Sequence, residues 1–244
     1  MARLDSPITL WLAGPTAADH FDPAAQCGPD QERWRQIRSE RRRLDWMVSR
    51  ALSTRAAPPP GHAVSLSHSS GHAALAIAPP GVKLGVDLEF TRPRDVASLA
   101  RLAFSSRERA NMELLSDSEQ VRHFYTLWTL KEALAKVLQI DLLKALGGYE
   151  ITATPSGWQA RCDADTPWSA QVFAPLECLI LAVVWTGATQ ALSSTAQVSQ
   201  REWPQTRTAP WKCIARIRHD PSALNSRADN ITGMRLAQAA TGGT

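Results

Sequence analysis

Two carboxylates stand two residues apart in the segment G-V-D-L-E at residues 85–89. The apolar residues of 82–90 alternate, which predicts a strand, and side chains two apart on a strand share a face. Asp87 and Glu89 would then point the same way, where their like charges favour a cation between them. Mg²⁺ prefers such oxygen ligands and usually also binds phosphate oxygens. Taken alone, however, such a pair is more commonly an ordinary solvated strand face.

A second set of side chains that could bind ligands or catalyse a reaction lies on a predicted helix at residues 118–139. Trp128, Glu132 and Lys136 follow one another at intervals of four, so they share one side of the helix, away from its leucine stripe. Glu132 could be a third carboxylate for a metal ion, and Lys136 could face a phosphate. The alternative is a surface Glu–Lys pair, which contributes only ~0.3–0.5 kcal/mol.

A third segment, residues 65–72, combines serine hydroxyls, imidazoles and a glycine turn. Hydroxyls and backbone N–H groups in a tight turn can cradle a phosphate. A Ser–His nucleophile pair is the alternative, but serine hydrolases of the G-x-S-x-G type place the nucleophile on a glycine-flanked elbow that this sequence lacks. His72 by itself is more typical of a turn residue than of a ligand.

The elements that must position these residues are short strands and helices, which favours an α+β fold. The predicted strands are at residues 8–12, within 64–78 (two strands), 82–90, 149–153, 158–161, 169–173 and 179–185. The predicted helices run over 32–53, from Ser105 (whose spacing to Glu108 is that of a capping box) and over 118–139. Helix and strands recur in both halves, so we expect two related lobes, residues 1–80 and 81–187, the second carrying the acidic motifs.

Composition separates the last 57 residues from the rest. Of 27 Lys and Arg and 23 Asp and Glu, seven basic and three acidic residues lie in 188–244, which leaves twenty of each in residues 1–187. Residues 1–187, the body of the chain, therefore have no net charge, which argues against nucleic-acid binding. Because Ser, Thr, Gln, Ala, Pro and Gly dominate it, the basic tail 188–244 is predicted to be disordered, although Trp203, Trp211 and residues 214–217 leave a docking segment open.

The sequence also indicates a compartment. No run reaches the ~18 apolar residues of a membrane span, and the first residues lack the pattern of a signal peptide. The four cysteines, Cys27, Cys162, Cys178 and Cys213, have no C-x-x-C spacing and predict reduced thiols. We therefore expect a cytoplasmic protein without membrane association.

Three of these segments, in this order, resemble the motifs of the Sfp-type 4′-phosphopantetheinyl transferase superfamily. That superfamily has S-H-S, then G-[VI]-D-[VIL]-E, then W-x-x-K-E-x-x-x-K, and residues 67–69, 85–89 and 128–136 fit these patterns. Residues 104–108 also resemble its F-S-x-x-E helix start. Each motif alone is weak, but three in the right order are specific. The resemblance covers roughly residues 8–187 and leaves the tail without a counterpart.

The resemblance implies a pseudo-dimer of two similar α+β lobes with coenzyme A and Mg²⁺ in the cleft between them. By motif, Asp87, Glu89 and Glu132 would hold Mg²⁺ against the pyrophosphate of coenzyme A. Glu132 would also be a catalytic residue that helps to deprotonate the attacking hydroxyl.

The resemblance implies further contacts with coenzyme A. Lys136 would neutralise phosphate charge and so act in both catalysis and binding. His68 and Ser67 would bind the 3′-phosphate. An arginine of the run 41–43 would also contact coenzyme A, and Arg41 is favoured.

The implied activity is transfer of the 4′-phosphopantetheine arm of coenzyme A to a serine of an acyl- or peptidyl-carrier protein, with release of 3′,5′-ADP, by a monomer. The alternative is a non-catalytic coenzyme A- or carrier-binding protein of the same fold, against which the intact trio Asp87, Glu89 and Glu132 argues. One departure is that the superfamily usually has Gly-Lys-Pro shortly before S-H-S, whereas residues 56–62 contain no lysine. Arg55 or His62 would have to replace it, or coenzyme A would bind more weakly.

Overall fold

The computed structural model describes residues 8–162, 166–187, 198–204 and 210–221. Within these residues the strands are β1 (Thr9–Ala13), β2 (Ala63–Ser69), β3 (His72–Ala78), β4 (Lys83–Phe90), β5 (Glu150–Thr154), β6 (Gly157–Arg161), β7 (Trp168–Leu176), β8 (Leu179–Thr186), β9 (Ser199–Trp203) and β10 (Lys212–His219). The α-helices there are α1 (Gly28–Gln36), α2 (Glu40–Ala56), α3 (Val96–Ala103), α4 (Ser106–Glu113), α5 (Asp117–Leu138) and α6 (Leu142–Gly148). The prediction of an α+β protein is confirmed.

The first sheet has the strand order β2-β3-β1-β9 and is covered by α2. β3 is antiparallel to both β2 and β1, whereas β9 runs parallel to β1. Val48 and Leu52 of α2 are fully buried against Leu75 and other apolar side chains of the sheet. α2 ends at Ala57, which adopts the left-handed conformation (φ 42°), and the prolines that follow cannot continue a helix.

The second sheet has the order β10-β7-β8-β4, and the 22-residue helix α5 crosses it. α5 begins with a capping box between Ser116 and Glu119, which satisfies two of its free N-terminal N–H groups. Its leucine stripe is buried on the sheet, as the sequence predicts, in a core that includes Leu127, Leu130 and Leu134. The strand pair β5-β6 stands beside this sheet as a separate hairpin.

A further apolar core joins the two sheets. It combines Leu10 and Leu12 of β1 with the even-numbered residues of β4 and with Trp211. Val82, Leu84, Val86 and Leu88 therefore share one face, as predicted, and the odd-numbered residues of β4 face α5. This alternation fixes the side of the sheet on which Asp87 and Glu89 lie.

Three predictions about the elements need correction. The helix expected over 32–53 is two helices, because the backbone is extended at Ile37 and Ser39, between α1 and α2. α3 was not predicted; it begins at Asp95, whose carboxylate accepts the Ser98 N–H as an N-cap. The prediction that the tail is disordered is wrong for residues 198–204 and 210–221, which contain β9 and β10.

β9 and β10 form because the body offers them unpaired strand edges, at β1 and at β7. Residues 188–197, 205–209 and 222–244 lie outside the described residues. The lobe boundaries at residues 80 and 187, and the pseudo-dimeric relation of the lobes, stay predictions. Among the described helices, none combines the length and apolar character needed to cross a bilayer.

Candidate active site

The candidate site lies where α5 crosses β4, and a glycine permits that crossing. A Cβ atom on Gly85 would lie 2.1 Å from the carbonyl oxygen of Ala133 and 2.9 Å from the backbone nitrogen of Val137. The helix backbone therefore lies directly on the strand, where no larger residue fits. This contact brings the acidic strand motif beside the polar side of α5.

Lys136 is the direct link between the two motifs. Its Nζ donates to Oδ1 of Asp87 at 2.8 Å and to the carbonyl oxygen of Val86 at 2.9 Å. Asp87 is 4% exposed, whereas the Lys136 side chain is about a third exposed at 35%. The predicted partner residues therefore meet, but the ammonium of Lys136 already neutralises a carboxylate.

On the other side of β4, serines of β2 reach the same carboxylates. Ser67 donates from Oγ to Oδ1 of Asp87 at 2.8 Å, and Ser69 donates to Oε2 of Glu89 at 3.2 Å. His68 lies between them in sequence, so it points to the opposite face of the strand, and it is exposed. The structure thus brings Ser67 to the carboxylates and leaves His68 apart from them.

Electrostatics shows that the three acidic side chains lie close together. Burial, reinforced by the negative charges of Asp87 and Glu89, raises the pKa of Glu132 to about 7, although Lys136 opposes the shift. The pKa of Glu89 is also raised, by burial and by Asp87, against the opposing effects of Ser69, Arg94 and Trp128. Two of the three carboxyls are therefore easier to protonate than usual, because their ionised forms are buried close to other negative charges. A bound cation would stabilise the ionised forms.

The fit of a divalent cation rests on this donor set and on one orphaned atom. Oδ2 of Asp87 is buried and has no hydrogen-bond partner in the part of the chain that the structure describes, which is costly for an anionic oxygen unless a cation binds it. Within the described residues, however, no group of three or more His, Cys, Asp or Glu side chains is arranged to hold a metal ion. The oxygen donors suit Mg²⁺ chemically, but Glu89 and Glu132 would have to turn toward Asp87.

A cavity of about 280 Å³ opens beside Glu89. Its lining is basic and aromatic: Arg41, Arg92, Arg94, Phe124, Tyr125 and Trp128, with Ser69, Phe90 and Leu99. Arg41 is the member of the run 41–43 that lines this cavity, whereas the Arg43 guanidinium stacks 4.8 Å from the ring centre of Trp34.

Sequence reasoning missed Arg92, Arg94 and the role of Ser69. Arg92 donates to the hydroxyl of Ser70 in the β2–β3 turn, and Arg94 lies over the ring of Tyr125. The available signal was the pair of arginines that directly follows the acidic strand. Of the residues proposed to replace the missing lysine, His62 directly precedes β2 and so lies at the opposite end of that strand from Ser69, whereas Arg55 lies over the ring of Trp11 on β1.

A buried ion pair braces α5 behind the site. Lys131, fully buried, has its Nζ 2.8 Å from Oε1 of Glu108 and donates to Oε2 of Glu108 at 2.9 Å and to the carbonyl oxygen of Leu146 at 2.7 Å. Glu108 also closes the predicted capping box with Ser105 and accepts the Ile151 N–H at 2.7 Å. Burial lowers the pKa of Lys131, and Glu108 opposes that shift. The pair therefore ties α4, α5, α6 and β5 together.

The segment that carries this geometry is similar in sequence to known proteins. Residues 83–184 match the family model of the 4′-phosphopantetheinyl transferase superfamily. The chain is 35% identical over 113 residues to the 4′-phosphopantetheinyl transferase AcpT of Salmonella typhimurium, a match that covers 39% of this chain and 58% of that protein. It is 33% identical over 124 residues to the 4′-phosphopantetheinyl transferase HetI of Nostoc sp., covering 50% of this chain and 51% of that protein. The chain thus spans between half and three fifths of the length of these relatives.

Proposed function

We propose that this chain, whose residues 83–184 match the family model of the 4′-phosphopantetheinyl transferase superfamily, belongs to that superfamily and transfers the 4′-phosphopantetheine arm of coenzyme A to a serine of an acyl- or peptidyl-carrier protein. The observation that carries the proposal is the ion pair of Asp87 with Lys136 where α5 crosses β4, with Glu89 and Glu132 electrostatically coupled to Asp87. Carboxylates that hold a divalent cation, with a lysine beside them, suit charge neutralisation at a pyrophosphate.

The proposed reaction is a phosphoryl transfer. The hydroxyl oxygen of the carrier serine forms a bond to the β-phosphorus of coenzyme A, the bond from that phosphorus to the bridging oxygen breaks, and 3′,5′-ADP leaves. Such reactions depend mainly on positioning and electrostatic stabilisation. The serine proton must pass to a base, a task that a carboxylate can perform, and the family resemblance implies Glu132 for it.

We assign binding roles to the remaining residues of the site. Asp87, Glu89 and Glu132 would hold Mg²⁺, which when bound would neutralise charge on the pyrophosphate oxygens. Lys136 would add a cation to the same phosphates, and Arg41 would contact coenzyme A from the cavity wall. His68, being exposed on the other face of β2, could reach the 3′-phosphate only of a nucleotide bound on that face.

The test is the intact mass of an apo carrier protein after incubation with this chain, coenzyme A and Mg²⁺, with a parallel EDTA sample. A gain of one phosphopantetheine arm that EDTA prevents is expected. Coenzyme A binding without any mass gain, across acyl and peptidyl carriers, would contradict transfer and favour the non-catalytic alternative. A monomeric state and a cytoplasmic location stay predictions.

A further inference from the structure

The two sheets meet at a seam that side chains, not backbone, hold together. β2 and β4 are both edge strands of their sheets, so the N–H groups on the outer edge of β4 have no strand partner among residues 8–162, 166–187, 198–204 and 210–221. Three serines of β2 accept them instead: the Oγ atoms of Ser65, Ser67 and Ser69 accept the N–H groups of residues 86, 88 and 90 at 2.9, 3.3 and 3.2 Å. We refer to these three residues as the serine seam.

Two members of the serine seam do more than accept an N–H. A hydroxyl has one proton to donate. Ser67 donates it to Oδ1 of Asp87 and Ser69 donates it to Oε2 of Glu89, whereas Ser65 has no carboxylate partner among the described contacts. The serine seam therefore contains two residues that hold a carboxylate and one that only joins the strands.

The contacts of Asp87 show what this arrangement does. Its Oδ1 accepts from both Ser67 and Lys136, and its Oδ2 has no partner within the described residues. Since two donors hold Oδ1 from different sides, rotation of the carboxylate is restricted, and Oδ2 is the oxygen left for a cation. Hydrogen bonds of this kind to a ligating carboxylate typically account for 10–100-fold in metal affinity or activity.

We propose that Ser67 and Ser69 are positioning residues, which orient Asp87 and Glu89 across the seam. This inference rests on the proposed function for its meaning in catalysis. Its physical content is that the hydroxyl of Ser67 donates to Asp87 and the hydroxyl of Ser69 donates to Glu89.

The test compares Ser67→Ala with the matched control Ser65→Ala, which removes an acceptor from the same strand edge but touches no carboxylate. Amide hydrogen exchange first shows that each change acts locally: exchange at residue 86 should accelerate in Ser65→Ala and exchange at residue 88 in Ser67→Ala. Binding of Mn²⁺, measured directly on the full chain, should weaken about tenfold in Ser67→Ala and stay at the wild-type level in Ser65→Ala. Ser67→Thr, which keeps the hydroxyl, should restore binding.

Transfer kinetics separate positioning from ligand binding. A positioning role predicts that Ser67→Ala lowers kcat and leaves the KM for coenzyme A near the wild-type value. An increase in that KM with unchanged Mn²⁺ affinity would return Ser67 to the phosphate and overturn the proposal. So would an equal loss of Mn²⁺ affinity in Ser65→Ala and Ser67→Ala, or a wild-type chain that binds no Mn²⁺.

The remaining outcomes distinguish this inference from the proposed function. If the wild-type chain modifies no carrier but Mn²⁺ binding follows the predicted pattern, the transferase proposal fails and the positioning role stands. If Ser67→Ala does not fold, Ser69→Ala takes its place, because its hydroxyl holds Glu89 in the same way. Wild-type Mn²⁺ affinity in a folded Ser69→Ala would then overturn the proposal.

Discussion

The ammonium of Lys136 stands 2.8 Å from Oδ1 of Asp87, so one hydrogen-bonded ion pair joins the helix motif to the strand motif. Asp87 is nearly buried and Lys136 only partly so. Lys136 and the hydroxyl of Ser67 therefore hold the same oxygen of this carboxylate. Any ligand that binds through Asp87 must be accommodated beside the lysine.

Replacement of Lys136 by alanine is expected to lower kcat/KM for transfer about ten- to hundredfold. A hydrogen bond to a charged group contributes ~1.5–3 kcal/mol, and the variant loses both that bond and the cation beside the phosphates. Kinetics with a carrier protein and coenzyme A measure the effect. Lys144→Ala is the control, because Lys144 is exposed on α6. Equal activity of the two variants would contradict a role for Lys136.

Magnesium is expected to raise the melting temperature of the wild-type chain but not of Asp87→Asn. A ligand at 100 times its Kd stabilises the folded state by ~2.7 kcal/mol, which for a chain of this size is several degrees. Asparagine keeps the shape of the side chain and the hydrogen bond to Ser67 but loses the charge. The control is Glu113→Gln, an exposed residue of α4, which should keep the shift. A full Mg²⁺ shift in Asp87→Asn would remove Asp87 from the metal site.

Gly85→Ala is expected to destabilise the chain by at least ~1–3 kcal/mol and to abolish transfer. The added methyl group would meet the backbone of Ala133 and Val137, which cannot rotate away, so α5 must lift from β4. Denaturant unfolding measures the loss of stability. Gly147→Ala on α6, where a Cβ meets nothing within 4 Å, should cost nothing. A Gly85→Ala chain as stable as wild type would mean that α5 does not rest on the strand.

Local sequence patterns predict most of this site. The alternation along β4 places Asp87 and Glu89 on one face, and the four-residue spacing on α5 places Glu132 and Lys136 on one side. Both signals are short-range, because each depends only on the repeat of one element. The local patterns do not predict that the strand and the helix touch at Gly85, because this contact depends on how α5 packs on β4.

Features that depend on distant partners were not predictable. The serines of β2 occur at alternate positions, which shows a shared face but not that an unpaired edge of β4 lies opposite. The choice of Arg41 from three adjacent arginines likewise depends on where the cavity opens. β9 and β10 were interpreted as disordered because their composition is polar, whereas pairing with β1 and β7 decides their conformation.

His123 is expected to make the stability of the chain depend on pH. Its ring is buried against Trp158, its Nε2 has no hydrogen-bond partner within the described ranges, and burial lowers its pKa below the usual 6.5. As pH falls through about 6.5 the unfolded chain gains a proton that the folded chain resists, so stability is complete above that pH and declines below it until the folded-state pKa is reached.

The measurement is the change in melting temperature between pH 8 and pH 5.5. His123→Phe keeps an aromatic ring against Trp158 and cannot be protonated, so its change should be smaller than that of wild type. His20→Asn, at an exposed position, is the control and should behave as wild type. Identical changes in all three chains would contradict the assignment to His123.

Removal of residues 188–244 is expected to destabilise the chain strongly. The cut deletes β9 and β10, which complete one edge of each sheet, and it removes the buried side chains of Trp211, Ala215 and Ile217 from two cores. Each large apolar side chain contributes ~1.5–3 kcal/mol when buried, so losing them together exceeds what most domains tolerate. A control chain cut after Pro221 keeps both strands and separates their effect from that of residues 222–244. A 1–187 chain with the wild-type free energy of unfolding would mean that the two strands do not belong to the body.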